Sequence, residues 1–183
     1  PPHRFRKWLY VEEGATEELD ALGAQMIDAL PDFLQRNVPG SAATAARFFT
    51  LLHELFDQDA FHAASHRRAS AAAAIASGLE KLARSTEGAL ERGYASMVAT
   101  ERLLVAATLD RPLFYRVWKG IQAPADKPLF AGHRTRPVEH PHYRALLVMS
   151  GEKAPGEQWQ TLQPGELLWL DDGWEVKTRS ILG

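Results

Sequence analysis

Arg116 stands inside the run Leu113-Phe114-Tyr115-Arg116-Val117-Trp118, where every neighbour is apolar or aromatic. Burying a guanidinium there is expensive unless it meets an anion, and its planar fork suits a phosphate or carboxylate. Glu166 is the complementary oddity, because it opens the apolar stretch Leu167-Leu168-Trp169-Leu170 directly after Pro164-Gly165. Between the two lies a polar, basic segment, Phe130-Ala131-Gly132-His133-Arg134-Thr135-Arg136. A cation, a polar basic loop and a carboxylate in this order are more suggestive together than apart. Taken singly, Arg116 and Glu166 are better explained by a structural salt bridge or by exposure at a strand end.

A second set of candidates is histidine. His62 and His66 are spaced to share a helix face, with His53, Glu54, Asp57 and Asp59 upstream, and paired imidazoles at that spacing can chelate a metal. The metalloprotease pattern is incomplete, since position 63 is Ala where the general-base carboxylate would stand. Solvated surface histidines explain the spacing better, and no metal is expected. Arg47 and His53 have the separation of a pair used by some helical ribonucleases, but Phe48-Phe49-Thr50-Leu51-Leu52 between them is nearly all apolar and the pair reads as incidental. Arg67-Arg68 with Arg84 is a small basic cluster without an aromatic platform, so it reads as a solvated helix face and weak evidence for nucleic acid.

These residues must be positioned by one domain, for which the chain is long enough to bury a substantial core. The 183 residues are 45% hydrophobic and 24% charged, with a formal net charge of −2, which gives no field for nucleic acid or an anionic membrane. There is no cysteine, so disulfides and thiolate zinc sites within this chain are excluded. Such a composition suits the cytosol or a toxin crossing redox compartments. No segment has the apolar length of a membrane span. The start, Pro1-Pro2-His3-Arg4-Phe5-Arg6-Lys7, has neither an apolar leader core nor an initiator Met, the expectation for a processed chain or a domain cut from a larger one.

Trp8 to Val11 reads as a short strand or anchoring arm. Helical spacing follows in Leu19, Leu22, Met26 and Leu30, ended by Pro31. Ser41 is a plausible N-cap for a helix whose stripe is Ala45, Phe48, Phe49, Leu52, Leu55 and Phe56. Residues 60–84 are alanine-rich and read as helix, and Ser85-Thr86-Glu87 is expected to restart one that runs to about Thr108. From Asp110-Arg111-Pro112 the texture is β: a strand at 113–118, a proline-rich loop over 121–142, a strand at 144–150, and a final hairpin turned at Asp172-Gly173. The expected class is α+β, a single domain over 1–183, with a helical N-terminal lobe over 1–109 and a small, mostly antiparallel β-rich part over 110–183.

The order of these pieces resembles the ADP-ribosyltransferase toxin family over about residues 111–180. Leu113-Phe114-Tyr115-Arg116 resembles the family's Arg-bearing first strand. Ala145-Leu146-Leu147-Val148-Met149-Ser150-Gly151 resembles the strand before the glutamate loop, and Gly165-Glu166-Leu167-Leu168-Trp169-Leu170 the glutamate strand. His133-Arg134-Thr135 stands where the family usually has Ser-Thr-Ser, and Pro164 where many members place a Glu or Gln. The resemblance implies an NAD-dependent transferase, a toxin or secreted effector acting on a host or target protein, with NAD as substrate. It implies Arg116 on an NAD phosphate, Thr135 and His133 bracing the ribose, and Glu166 stabilising the cation formed as nicotinamide leaves. Tyr115, Phe130 or Trp169 would stack on a ring of the dinucleotide. The competing expectation is a non-enzymatic helical interaction module with a β scaffold.

Overall fold

The computed structural model describes residues 2–14, 22–39, 43–62, 67–85, 93–121 and 140–181. Its strands are β1 (His3–Phe5), β2 (Trp8–Glu13), β3 (Ala95–Ala99), β4 (Leu104–Thr108), β5 (Leu113–Ile121), β6 (His140–Ser150), β7 (Gln160–Leu162), β8 (Glu166–Leu170) and β9 (Val176–Ser180). Its helices are α1 (Gly23–Asp28), α2 (Asp32–Gln35), α3 (Ala43–Asp57) and α4 (Arg68–Ser85). The strands form a six-stranded sheet of order β1-β2-β3-β4-β8-β9 and a three-stranded sheet of order β6-β5-β7. Every pairing is antiparallel.

Side-chain alternation sorts these strands into three layers. Trp8, Tyr10, Val98, Val105, Ala107 and Leu167 face the helices, where they join Phe48, Phe49, Leu52, Leu55, Ile75 and Leu79 in the larger core. Ala95, Ala106 and Leu168 face the other way and meet Leu113 and Leu162 of the second sheet, with Met97, Tyr115, Leu146 and Val148 packed around them. The order is therefore helices, first sheet, second sheet.

The α3 stripe read from the sequence is buried apart from Phe56, which is half-buried, and Arg47 is buried within it. Helix α4 crosses α3 at Gly78, where an added Cβ would come within 2.8 Å of Leu51 Cδ2 and 3.1 Å of Glu54 Cγ. The alanine run keeps that approach short. Arg68, assigned from sequence to a solvated face, is mostly buried: it donates to the Leu170 and Asp171 carbonyls at 3.4 and 2.7 Å and pins the β8–β9 turn to α4.

The expected helical N-terminal lobe over 1–109 with an ADP-ribosyltransferase-like β part over 110–183 does not hold. Four of the nine strands precede residue 110 and belong to the same sheet as β8 and β9. The largest change is at 95–108, expected to be helix and found as a hairpin, with Thr100 Oγ1 accepting the Arg102 and Leu103 N–H groups at 3.2 and 3.1 Å. Central strands covered on both faces need no polar alternation, so Ala95-Ser96-Met97-Val98-Ala99 and Leu104-Val105-Ala106-Ala107-Thr108 look helical without being so. His62 lies in a turn rather than on a helix. The final hairpin turns over Asp171 to Glu175, not on two residues, with Asp171 Oδ1 accepting the Glu175 N–H at 2.9 Å and Trp174 at φ 62°.

Candidate functional site

Strand β2 ends in Glu12-Glu13, and alternation sends their carboxylates to opposite faces of the first sheet. Gly14 then turns the chain at φ 93°, and an added Cβ there would collide with the Gly93 carbonyl. The two glutamates thus sit at a sheet end where only glycine fits the exit.

Glu12 points into the helix layer. Its side chain is 4% exposed and that of Arg47, its partner from α3, is 0% exposed. Arg47 Nε donates to Glu12 Oε1 and Oε2 at 3.1 and 3.0 Å, and Nη2 donates to Oε1 and to Thr44 Oγ1. Tyr10 donates its hydroxyl to Glu12 Oε2 and shares a 2.6 Å hydrogen bond with the Tyr94 hydroxyl. Burial pushes the Glu12 carboxyl up, but the Arg47 hydrogen bonds and charge outweigh it and hold the group below its usual value. Burial and the neighbouring phenol and carboxylate push Tyr10 well up. The cluster is an internally satisfied network, and it fixes the end of β2 against α3.

Glu13 points into the space between the sheets. It accepts from Arg111, in the β4–β5 turn, and from the Ser150 hydroxyl at the end of β6. Arg111 is itself placed by Thr108, whose hydroxyl donates to the Arg111 carbonyl. Two separate elements, the β4–β5 turn and the end of β6, therefore converge on the β2 carboxylate. Beside it lies a cavity of about 290 Å³ whose lining includes Val11, Ala95, Met97, Leu113 and Val148, with Glu13, Ser96 and Ser150 among its polar members. A second cavity, of about 370 Å³, adjoins Glu12 and Glu13 on the other side, against His3, Gly14 and Thr44. Burial holds the His3 imidazole below its usual value against the opposing pull of Glu12.

The residues expected from sequence fall elsewhere. Arg116 lies on the outer face of the second sheet, its guanidinium 5.0 Å from the Trp118 ring centre. It lines a cavity of about 280 Å³ with Gln158, Gln160 and Glu175, from which Glu166 is absent. Glu166 shares a face with Leu168 and points between the sheets, where its Oε2 accepts the Gln163 N–H at 3.2 Å. Tyr115 faces it: burial raises the phenol and the Glu166 charge adds to that. Tyr115 and Glu166 are thus brought together, and Arg116 is not. Trp169 packs against the helix-side core. Phe130, His133 and Thr135 lie outside the described residues, as does His66. His53 is 3.3 Å from Asp57 on its own helix, and among the described residues no three His, Cys, Asp or Glu side chains are grouped to hold a metal.

Glu12, Glu13, Arg111 and Ser150 were missed by reading the sequence, and Arg47 was set aside. A signal was present for three of them. Glu12-Glu13-Gly14 ends an apolar strand, and Arg47 interrupts an apolar helix stripe in the way Arg116 interrupts a strand.

No family model matches the chain, and no curated protein does. Among solved structures it is similar to a glutamine aminotransferase class-II domain protein from Silicibacter pomeroyi, at 19% identity and a TM-score of 0.60. The match covers 100% of this chain and 70% of that one. The likeness is one of fold, and the two-sheet architecture it describes replaces the ADP-ribosyltransferase fold expected from sequence.

Proposed function

We propose that this chain is a binding domain whose inter-sheet cavity takes a small amphipathic molecule carrying an amine or primary amide. The observation that carries this reading is Glu13, a carboxylate held by Arg111 and Ser150 beside an apolar cavity of about 290 Å³. A carboxylate offers about four lone-pair sites, so two partners leave room for N–H donors from a ligand. Because the side chain is already fixed, little rotamer freedom remains to be lost on binding. Val11, Ala95, Met97, Leu113 and Val148 supply the surface for an aliphatic stem. Small-ligand pockets have this mix, mostly apolar with a few convergent polar groups. The protein with a similar fold is named for glutamine, whose stem and terminal amide have the same chemistry, and this supports the choice of an amide. The 183 residues contain no cysteine, so they supply no thiolate to attack that amide.

ADP-ribosyl transfer has less geometric support, because one dinucleotide would have to reach Arg116 and Glu166 from opposite sides of β5. Titration calorimetry with L-glutamine, n-butylamine and NAD separates the readings. Glutamine or the amine is expected to saturate the protein, Glu13→Gln to weaken binding on the order of tenfold, as for a lost charged hydrogen bond, and Arg116→Ala to leave it unchanged. Met97→Trp, which fills the cavity without touching Glu13, is expected to block binding as well. The proposal is sunk by silence from every amine and amide. Nicotinamide release from NAD that disappears in Glu166→Ala would put ADP-ribosyl transfer in its place.

A further inference from the structure

Strand β6 has eleven residues, His140–Ser150, and lies at the end of the second sheet, pairing only with β5 among the described residues. One side of its backbone therefore has no strand partner among the described residues. Tyr143, Leu147 and Met149, on the face turned away from the first sheet, are 41%, 37% and 44% exposed. A long apolar edge of this kind is a template for another strand.

The charge along it is one-sided. Leu113–Ile121 and His140–Ser150 contain Arg116, Lys119 and Arg144 and no acidic residue. None of these three cations has an ion-pair partner among the described residues. Lys119 and Arg144 are cross-strand partners, so two positive charges meet at one register position, an arrangement that costs stability unless an anion joins them.

We infer that β6 is a docking edge for an extended acidic strand from a partner protein, with apolar side chains alternating with carboxylates. Its backbone would pair with the free side of β6. Its apolar residues would lie beside Leu147 and Met149, and its carboxylates on the face that carries Lys119 and Arg144. A second copy of this chain fits less well, since it would bring more basic residues to a basic edge. This mode is β-augmentation, in which the main chain gives affinity and alternate side chains give specificity.

The test uses a fluorescein-labelled peptide of about ten residues alternating valine and glutamate, matched in length to the edge. A valine–lysine repeat and a proline-interrupted valine–glutamate peptide serve as controls. Fluorescence polarisation is expected to show saturable binding of the first peptide alone. Arg144→Glu, an exposed position that the core does not use, is expected to weaken it on the order of tenfold and to admit the lysine repeat. Equal binding of the proline-interrupted peptide, indifference to Arg144→Glu, or no binding of any peptide would overturn the inference. So would a dimer in sedimentation that the peptide does not dissociate, since it would assign the edge to a second copy.

Discussion

Moving the Arg47 guanidinium and the Glu12 carboxylate out of water costs several kcal/mol per ion, and only close pairing offsets it. Removing one partner leaves the other charge buried alone. Arg47→Met is therefore expected to lower the unfolding free energy by about 3–5 kcal/mol, measured by urea denaturation at neutral pH. Glu12→Leu combined with it is expected to recover much of that loss. The same pair sets an acid limit. The folded Glu12 carboxyl is held below the usual 4.5, so its contribution is complete above that pH and disappears as pH falls through the folded value. Glu12→Gln should thus flatten the stability profile below about pH 4.5 while the wild type keeps losing stability there. Tyr10 and Tyr94 work at the other end. Both phenols are raised by burial above the usual 10.0, so the stability they contribute is complete below that pH and is lost as pH rises through their folded values. Spectroscopic titration should find these phenols ionising only with alkaline unfolding.

Helix α4 can lie close on α3 because Gly78 presents no side chain at the crossing. Gly78→Ala gains helix propensity but brings its Cβ within 2.8 Å of Leu51 Cδ2 and 3.1 Å of Glu54 Cγ, side chains that must yield to it, so its net effect is expected to stay within about 1 kcal/mol. Gly78→Ile has nowhere to place its branch and is expected to cost about 1–3 kcal/mol, read from the midpoint of thermal unfolding. The elements that sequence patterning could reach are those with one buried face or strong β composition. The α3 stripe is legible because Thr50 and His53 break its apolar run at helical spacing, and β8 is legible because Leu167-Leu168-Trp169-Leu170 follows a Pro-Gly turn. The β3–β4 hairpin was not legible, because helices cover one of its faces and the second sheet the other, leaving no period to count. Part of the cavity wall, Ala95 to Met97, comes from that hairpin. Reading 95–108 as helix therefore removed Ala95, Ser96 and Met97 from consideration and drew attention to the Arg116 and Glu166 end. The convergence of Arg111 and Ser150 on Glu13 is a product of sheet stacking, and no local pattern announces it.

The three layers are unequal, and that inequality has a consequence for how the molecule opens. The first sheet is packed against α3 and α4 through large buried side chains such as Trp8, Tyr10, Phe48 and Phe49, all 0–1% exposed. The second sheet has three strands, meets the first through a smaller cluster of mainly aliphatic side chains, and leaves Leu147 and Met149 open to solvent on its far face. Units with fewer buried apolar contacts open at lower free energy than the whole molecule. Hydrogen exchange is accordingly expected to show β5, β6 and β7 exchanging through a sub-global opening while β2, β3 and β4 exchange only with full unfolding. The Glu13 contacts to Arg111 and Ser150 span the seam between these two units, so Glu13→Gln should speed exchange in β6 and leave β3 unchanged. A ligand seated in the cavity touches both walls and should slow β6 in the wild type but not in Glu13→Gln. Uniform exchange across both sheets, or acceleration of β3 and β6 together in the variant, would mean that the sheets open as one body and that Glu13 does not hold the seam.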